Sequence, residues 1–454
     1  MPDQTNCCIA WRNWVDEDAP SGTSATALTI SVASQTLTMA APAPLFFVGA
    51  EATIEDDADE DRYMVGLITA WNPTTRALTV NATAVGGSGT GADWVVTLTK
   101  WSQGSWEITL PLSNMGDERL YKPARSASAA EASTRFRLDM CDLQTVNMAA
   151  ILSHSCDKNA YWRVRFFEVD AATGALTVKH DSGKDYVWPT LLPFGQYPWG
   201  TFPWNHRLLL GDDYQPPGIY LCREQATTTS ATSHTIGTGE KTFTAASASG
   251  IAVGMPLAIY RAADPEVGML GKATYVDGND VRVQVTDVED SGTFTDWVIR
   301  YTVADAPLEA VRARLVDIQI FNSANADGYV DIGRFFVSPG WFLSVNIQEG
   351  GSIQFQDDSP KRRSRGGQPF ADPVATYRKT EFTIAYLERD EILSNLYEIQ
   401  KVQGVRKPIL VILDPDDETN LHRLAIYGSL ERTSPIRFDP GLLYSCTVNV
   451  EEWV

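Results

Sequence analysis

One stretch of this chain occurs twice, and that duplication limits the possible folds more than any other feature of the sequence. The first copy spans residues 23–99 and closes on Ser88-Gly89-Thr90-Gly91-Ala92-Asp93-Trp94-Val95. The second spans 229–302 and closes on Ser291-Gly292-Thr293-Phe294-Thr295-Asp296-Trp297-Val298. Upstream the two stay in register: Val48-Gly49 matches Val253-Gly254, Ile54 matches Ile259, Asp59 matches Asp264 and Gly66 matches Gly271. Repeats that build a solenoid follow one another directly. Here residues 100–228 intervene, which describes one small domain inserted at two places in a host. Surface loops accept such insertions because closure entropy grows only slowly with loop length. Removing both copies leaves a host of 1–22, 100–228 and 303–366, followed by a different kind of sequence over 367–454.

Each copy has the pattern of a small antiparallel β-barrel or sandwich. In the first, residues 26–38 alternate, with Leu28, Ile30 and Val32 on one face and Thr29 and Ser31 on the other. Further β-rich segments at 63–70, 77–82 and 94–98 are punctuated by Asn72-Pro73 and Gly86-Gly87, and the second copy has its own turn at Asp277-Gly278-Asn279. Trp94 and Trp297 end equivalent strands and are expected in the cores. In the host, residues 161–166 alternate, with Arg163 and Arg165 opposite Trp162, Val164 and Phe166. Strands are also expected over 134–139, 314–320 and 328–337. Many strands and almost no helix predict a jelly-roll-like sandwich carrying the copies in two of its loops. The opening 1–20 is a strand or arm that must pack elsewhere.

The last part is α+β. Residues 379–386 predict a strand with Phe382, Ile384 and Tyr386 inward. The spacing of Ile392, Leu393, Leu396, Ile399 and Val402 predicts a helix over 389–403 with Gly404 as its stop. Residues 408–413 predict a buried strand. In 444–450, Tyr444, Cys446, Val448 and Val450 alternate with Ser445, Thr447 and Asn449.

Composition narrows the function. The chain has 57 acidic and 37 basic residues, a formal charge of −20, so its body repels phosphate backbones and nucleic acid is a poor partner. No apolar run is long enough to span a membrane, and Met1-Pro2-Asp3-Gln4 lacks the basic segment and apolar core of a secretory signal. The cysteines Cys7, Cys8, Cys141, Cys156, Cys222 and Cys446 form no CxxC pair and are expected to be buried free thiols. His154, His180, His206, His234 and His422 are widely spread, and no HExxH, GxSxG or phosphate-loop motif occurs, so neither a catalytic centre nor a cofactor or metal site is expected.

Three stretches are candidates for contact. The acidic run 55–61 has the oxygen ligands calcium favours, but it lacks EF-hand spacing, and the second copy keeps one acid there, Asp264. A solvated loop is the preferred reading. The aromatic, proline-rich loop from Trp188 to Trp204 holds Trp188, Tyr197, Trp199 and Trp204, rings suited to a glycan or, in preference, to a protein partner or the sandwich core. Lys361, Arg362, Arg363 and Arg365 form the basic cluster of an acidic chain, suited to the acidic face of a neighbouring subunit in preference to phosphate, with a mobile loop as the plain alternative.

Several stretches resemble minor tail proteins of tailed bacteriophages, of the distal-tail or baseplate kind. They are Leu110-Pro111-Leu112-Ser113-Asn114-Met115 with Ala124-Arg125-Ser126, Trp162-Arg163-Val164-Arg165, and Tyr329-Val330-Asp331-Ile332-Gly333-Arg334-Phe335-Phe336-Val337. Gly366-Gly367-Gln368-Pro369-Phe370, the helix before Lys407-Pro408, and Tyr427-Gly428-Ser429-Leu430 complete the set. The repeated unit resembles small carbohydrate-binding-like β modules of phage tail and fibre proteins. The resemblance implies a galactose-binding-like sandwich as host and a tail-tube-like domain at the end, whose sheets join into a ring, hexameric in preference to trimeric. It also implies a virion-tail location, with tube protein on one side and hub or tail-fibre proteins on the other. The function expected is that of a structural, non-enzymatic ring displaying two β modules outward. The alternatives are a receptor-binding protein for host surface glycan and a tail-associated cell-wall hydrolase, whose carboxylates no sequence spacing would reveal.

Overall fold

The structure, a computed structural model, describes residues 6–42, 46–170, 173–188, 217–303, 306–363, 365, 368–417 and 420–453. The protein is mainly β, built of antiparallel sheets with little helix.

The layers follow from which faces are apolar. A six-stranded host sheet carries Trp101–Ser102, Phe136–Val146, Val311–Phe321, Tyr161–Val169 and Leu176–Asp181 in that order, with Asp185–Tyr186 beside Tyr161–Val169. A four-stranded sheet runs Ala124–Arg125, Asp331–Ser338, Met148–His154, Gly218–Leu221. Their facing side chains, among them Phe136, Trp162, Phe166, Ile318, Ile151 and Phe335, form one core. The far face of the four-stranded sheet is also apolar. Met148, Ala150, Leu152 and Phe336 pack there against Cys8, Ala10, Leu410, Ile412 and Tyr427 of a third sheet. That sheet has eight strands and is covered on its other side by the helical segment, through Ile392, Leu396 and Ile399. Fully burying each such side chain is worth roughly 1.5–3 kcal/mol.

The copies fold alike, strand for strand. Copy 1 orders its sheet as Ser21–Ser24, Trp94–Leu98, Glu51–Asp56, Asp59–Asn72, Ala77–Gly86, Ser34–Thr38. Copy 2 repeats this with Gln225–Ser230, Trp297–Thr302, Pro256–Arg261, Gly268–Asp277, Asp280–Glu289, Gly239–Thr244. A two-residue ribbon caps each, Leu28–Thr29 on Thr90–Gly91 and His234–Thr235 on Thr293–Phe294. The tying hydrogen bonds recur as well. Ser24 Oγ donates to the Thr38 carbonyl at 2.9 Å and Ser230 Oγ to that of Thr244 at 2.8 Å. Trp94 Nε1 donates to Thr26 O, and Trp297 Nε1 to Thr232 O, both at 3.0 Å. Gly66 and Gly271 sit at matching bulges, where a Cβ would come within 2.1 Å of Asn81 O and 2.4 Å of Gln284 O.

Several expectations need correction. The segments 1–22 and 303–366 are not wholly host. Cys8–Ala10 pairs with Ile409–Ile412, Trp341–Phe342 pairs with Cys8–Ala10, and Ser352–Gln356 pairs with Tyr377–Leu387, so all three lie in the eight-stranded sheet. Pairing partners far along the chain decide this, and local pattern does not carry it. The sheets of the copies begin at Ser21 and Gln225, before 23 and 229. Residues 26–38 are two short strands, and Val32 is exposed. Tyr386 does not point inward. A bulge with positive φ at Tyr386 turns it out, 58% exposed, and Leu387 takes the buried place. The helical segment runs Arg389–Ile392, a π-turn Leu393–Tyr397, then Glu398–Val402. The π-turn rotates the stripe, so Leu393 and Val402 are exposed. Gly404 follows in the left-handed region as expected.

Candidate functional site

Two surfaces bring chemistry-bearing residues together: the edges of the eight-stranded sheet, and the outer face of the six-stranded host sheet where both copies sit.

The eight-stranded sheet runs Trp341–Phe342, Cys8–Ala10, Ile409–Ile412, Ala425–Leu430, Leu443–Glu452, Tyr377–Leu387, Ser352–Gln356. Ser352–Gln356 pairs only with Tyr377–Leu387 among the described residues. Arg437–Asp439 pairs only with the start of Leu443–Glu452, on the side away from Tyr377–Leu387. Among the described residues the sheet path ends at Trp341–Phe342, which pairs only with Cys8–Ala10, and two further free edges, Ser352–Gln356 and Arg437–Asp439, lie on opposite sides; a free edge is a row of unpaired backbone groups ready for another strand. The latter two are dressed with exposed apolar rings or chains: Ile353 and Phe355 on one, Phe438 and Leu442 on the other. Beside the first edge, Lys361–Arg363 forms a small ribbon with Pro369–Ala371 rather than a loop. Lys361, Arg362, Arg363 and Arg365 are all exposed, and Arg362 reaches Asp372 at 3.8 Å. These four basic residues thus stand together, beside exposed Phe370.

On the outer host face, five arginines meet five carboxylates. Asp317 is fully buried and takes Arg135 at 2.6 Å, Arg137 at 2.9 Å and Arg165 at 3.0 Å. Asp181 takes Arg163 at 2.6 Å, and Asp139 takes Arg314 at 3.2 Å. The remaining two acids come from copy 2. Glu289 bridges Arg163 at 2.8 Å and Arg165 at 3.0 Å, and Glu266 bridges Arg137 at 2.7 Å and Arg135 at 3.2 Å. Burial alone would raise the Asp317 carboxyl, but the guanidiniums of Arg165, Arg137 and Arg135 overcome it and hold it far below the usual carboxylate range. The alternation of Arg163 and Arg165 against the core face was legible, but their burial was not. An Arg-x-Arg strand has the same pattern whether its polar face meets water or a second domain's carboxylates.

Copy 1 sits on the same face by other means. Its core continues into Phe167, Val178 and Leu315 of the host, and Arg314 lies over the Phe47 ring, 3.6 Å from its centre. Between the copies lies a cleft of about 370 Å³, with walls from 47–49, 174–176 and 263–266 and a floor of Arg137 and Leu315. At Gly174 a Cβ would lie 2.4 Å from the Val48 carbonyl oxygen, so only glycine lets copy 1 close this side.

Of the aromatic-loop candidates, Trp188 is a core residue, 5% exposed, donating from Nε1 to Cys156 O at 2.9 Å. A ring so placed offers no face to a sugar or partner, which corrects its reading as a contact. Tyr197, Trp199 and Trp204 lie outside the described residues. In the acidic run, Asp56 is buried and bound to Arg62 at 2.7 Å, while Asp57, Asp59, Glu60 and Asp61 are exposed at the hairpin. Among the described residues no three His, Cys, Asp or Glu side chains stand together as a metal site would need, and no helix is long and apolar enough to cross a membrane. His180 is buried, its Nε2 2.7 Å from the Tyr220 hydroxyl, and burial followed by the Arg300 charge pushes its pKa down to about 3. The six cysteines are free thiols, five buried and Cys141 half-buried. No family model matches the chain, and no curated protein matches it.

Proposed function

We propose that this chain is a structural, non-catalytic ring component of a bacteriophage tail tip or baseplate, a distal-tail or minor tail protein. In this reading the two packed host sheets are a galactose-binding-like jelly roll, and the eight-stranded sheet with its helical cover is a tail-tube-like domain. The observation that carries it is that two free edges, Ser352–Gln356 and Arg437–Asp439, lie on opposite sides of one sheet. A contact that uses different surfaces on the two partners is head-to-tail, and it closes into a ring when its rotation allows. Ser352–Gln356 of one copy of the chain would meet Arg437–Asp439 of the next, extending the sheet from subunit to subunit. The exposed Phe355 and Phe438 would then be covered, and the basic ribbon would meet an acidic neighbour, as the charge of −20 favours. Tube protein would bind one rim of the ring, and hub or tail-fibre proteins the other.

Native mass spectrometry and negative-stain imaging of the full chain test this. A closed ring, with six copies preferred to three, is expected. Phe355→Asp and Phe438→Asp should each give folded monomers. A monomer at every concentration up to precipitation, or immunogold labelling of virions anywhere but the tail, would defeat the reading. A second reading, receptor binding to host glycan, is favoured by the cleft between the copies.

A further inference from the structure

The cleft exists only because the copies dock side by side. Copy 1 supplies one wall, copy 2 another, and the host a third wall and the floor. The floor holds unused donor capacity. Arg137 Nη2 donates to Glu266 at 2.7 Å and Asp317 at 2.9 Å. Its Nε is closed to solvent and so to the cleft, and the donor left for a ligand is Nη1, which makes no hydrogen bond among the described residues. A ligand oxygen that accepts from Nη1 makes a charge-assisted hydrogen bond.

We propose that this junction binds the end of a neutral sugar chain, one ring seated over Arg137 between the two copies. The charge balance selects neutral over anionic. The five host arginines are already matched by five carboxylates, and Asp264 and Glu266 stand in the copy 2 wall, so an anion would meet carboxylates with no spare cation. A hydroxyl both accepts and donates. It takes the Arg137 N–H at the floor and gives its own proton to Asp264 or Glu266 at the rim. Leu176, Leu315 and Pro265 offer apolar surface to the C–H face of a ring. The volume lies at the low end of ordinary small-molecule pockets, roughly 300–1,000 Å³, which suits the end of a chain and not a long segment. The inference is independent of the ring reading. It deepens the receptor reading and rests on it only for where the sugar comes from.

The test uses the full chain, with saturation-transfer NMR and calorimetry. Methyl glycosides of galactose, N-acetylglucosamine and rhamnose form the neutral arm, and glucuronate and inorganic phosphate the anionic arm. Binding of a neutral sugar with Kd on the order of millimolar is expected, with no response to the anions. Ala175→Trp and Ala263→Trp, at exposed positions of two different walls, should fill the cleft and weaken binding at least about tenfold with unfolding midpoints unchanged. Binding that survives both plugs sinks the junction and leaves the receptor reading standing with its site elsewhere. Binding of the anions in place of neutral sugars overturns the ligand class. Silence toward every neutral sugar defeats the inference, and a ring seen by mass spectrometry in the same sample would leave the structural reading untouched.

Discussion

The two copies share a fold and differ in how they are seated. Copy 1 sits by apolar packing: Phe46, Phe47 and Leu37 belong to the same core as host Phe167 and Leu315. Copy 2 has a smaller apolar seat, Ala258 and Leu270 on host Phe321 and Tyr260 in the core shared with Phe167 and Val178, and adds charge to it. Glu266 and Glu289 reach four host arginines, Asp287 takes Lys184 at 2.8 Å, and Arg300 donates to the Val178 and Lys179 carbonyls. The positions retained in both copies are those that build the unit, the serine and threonine ties, the tryptophan and the bulge glycine. Differences fall at the docking positions and also inside the unit. Asp56 pairs with Arg62 inside copy 1, whereas the equivalent Arg261 of copy 2 pairs with Asp296 and covers Phe294. The unit's fold and its attachment thus rest on separate residues, and each can be broken alone.

The largest effect is expected at Asp317→Asn. It leaves Arg135, Arg137 and Arg165 short of a buried partner, at a cost of roughly 3–5 kcal/mol. Guanidinium unfolding should show it, and limited proteolysis should release copy 2 before copy 1. Equal release of both would end the contrast. Phe47→Ala removes a buried ring, 4% exposed, from the seat of copy 1. A loss of about 3–5 kcal/mol is expected, with copy 1 released first. An effect below about 1 kcal/mol would mean that copy 1 is held elsewhere.

Acid should act through His180, which lies under the seat of copy 2 and is held neutral partly by Arg300. Its folded pKa of about 3 is below the ordinary 6.5, so its contribution is complete above about 6.5 and is lost as pH falls toward 3. The unfolding free energy should drop over that window by on the order of a few kcal/mol. His180→Gln should flatten the part due to this residue, and identical profiles for variant and parent would refute it. The smallest effects sharpen the likeness of the copies. Ser24→Ala and Ser230→Ala should each cost about 0.5–1.5 kcal/mol, equal within experimental error. A clear inequality would show that the shared ties are not equally used.

Much of the unit was legible in the sequence because its signals are local. Alternation gave the strands, Asp277-Gly278 gave the turn, and Trp94 and Trp297 fell in the cores as expected. The strand ending at Val450 also kept its alternation, with Tyr444, Cys446, Val448 and Val450 all buried. Tyr386 failed because a one-residue bulge reverses every later side chain, and nothing in Thr383-Ile384-Ala385-Tyr386 marks it. Cys8–Ala10 failed because a three-residue strand carries no hint of a partner four hundred residues away. Of the candidate contacts, the basic cluster stood out by composition, whereas the cleft could not, since its walls come from three separate parts of the chain.

What the sequence determined by itself was the duplication, the β character and the retained ties, because these depend on spacing of two to four residues and on two copies written in one register. What only the tertiary structure decided was which sheet each terminal strand joins, the burial of Arg163 and Arg165, and the seating of two like units by different balances of apolar and charged contact. Those depend on pairing across long separations, where a polar face is stable equally well against water or against a matched set of opposite charges.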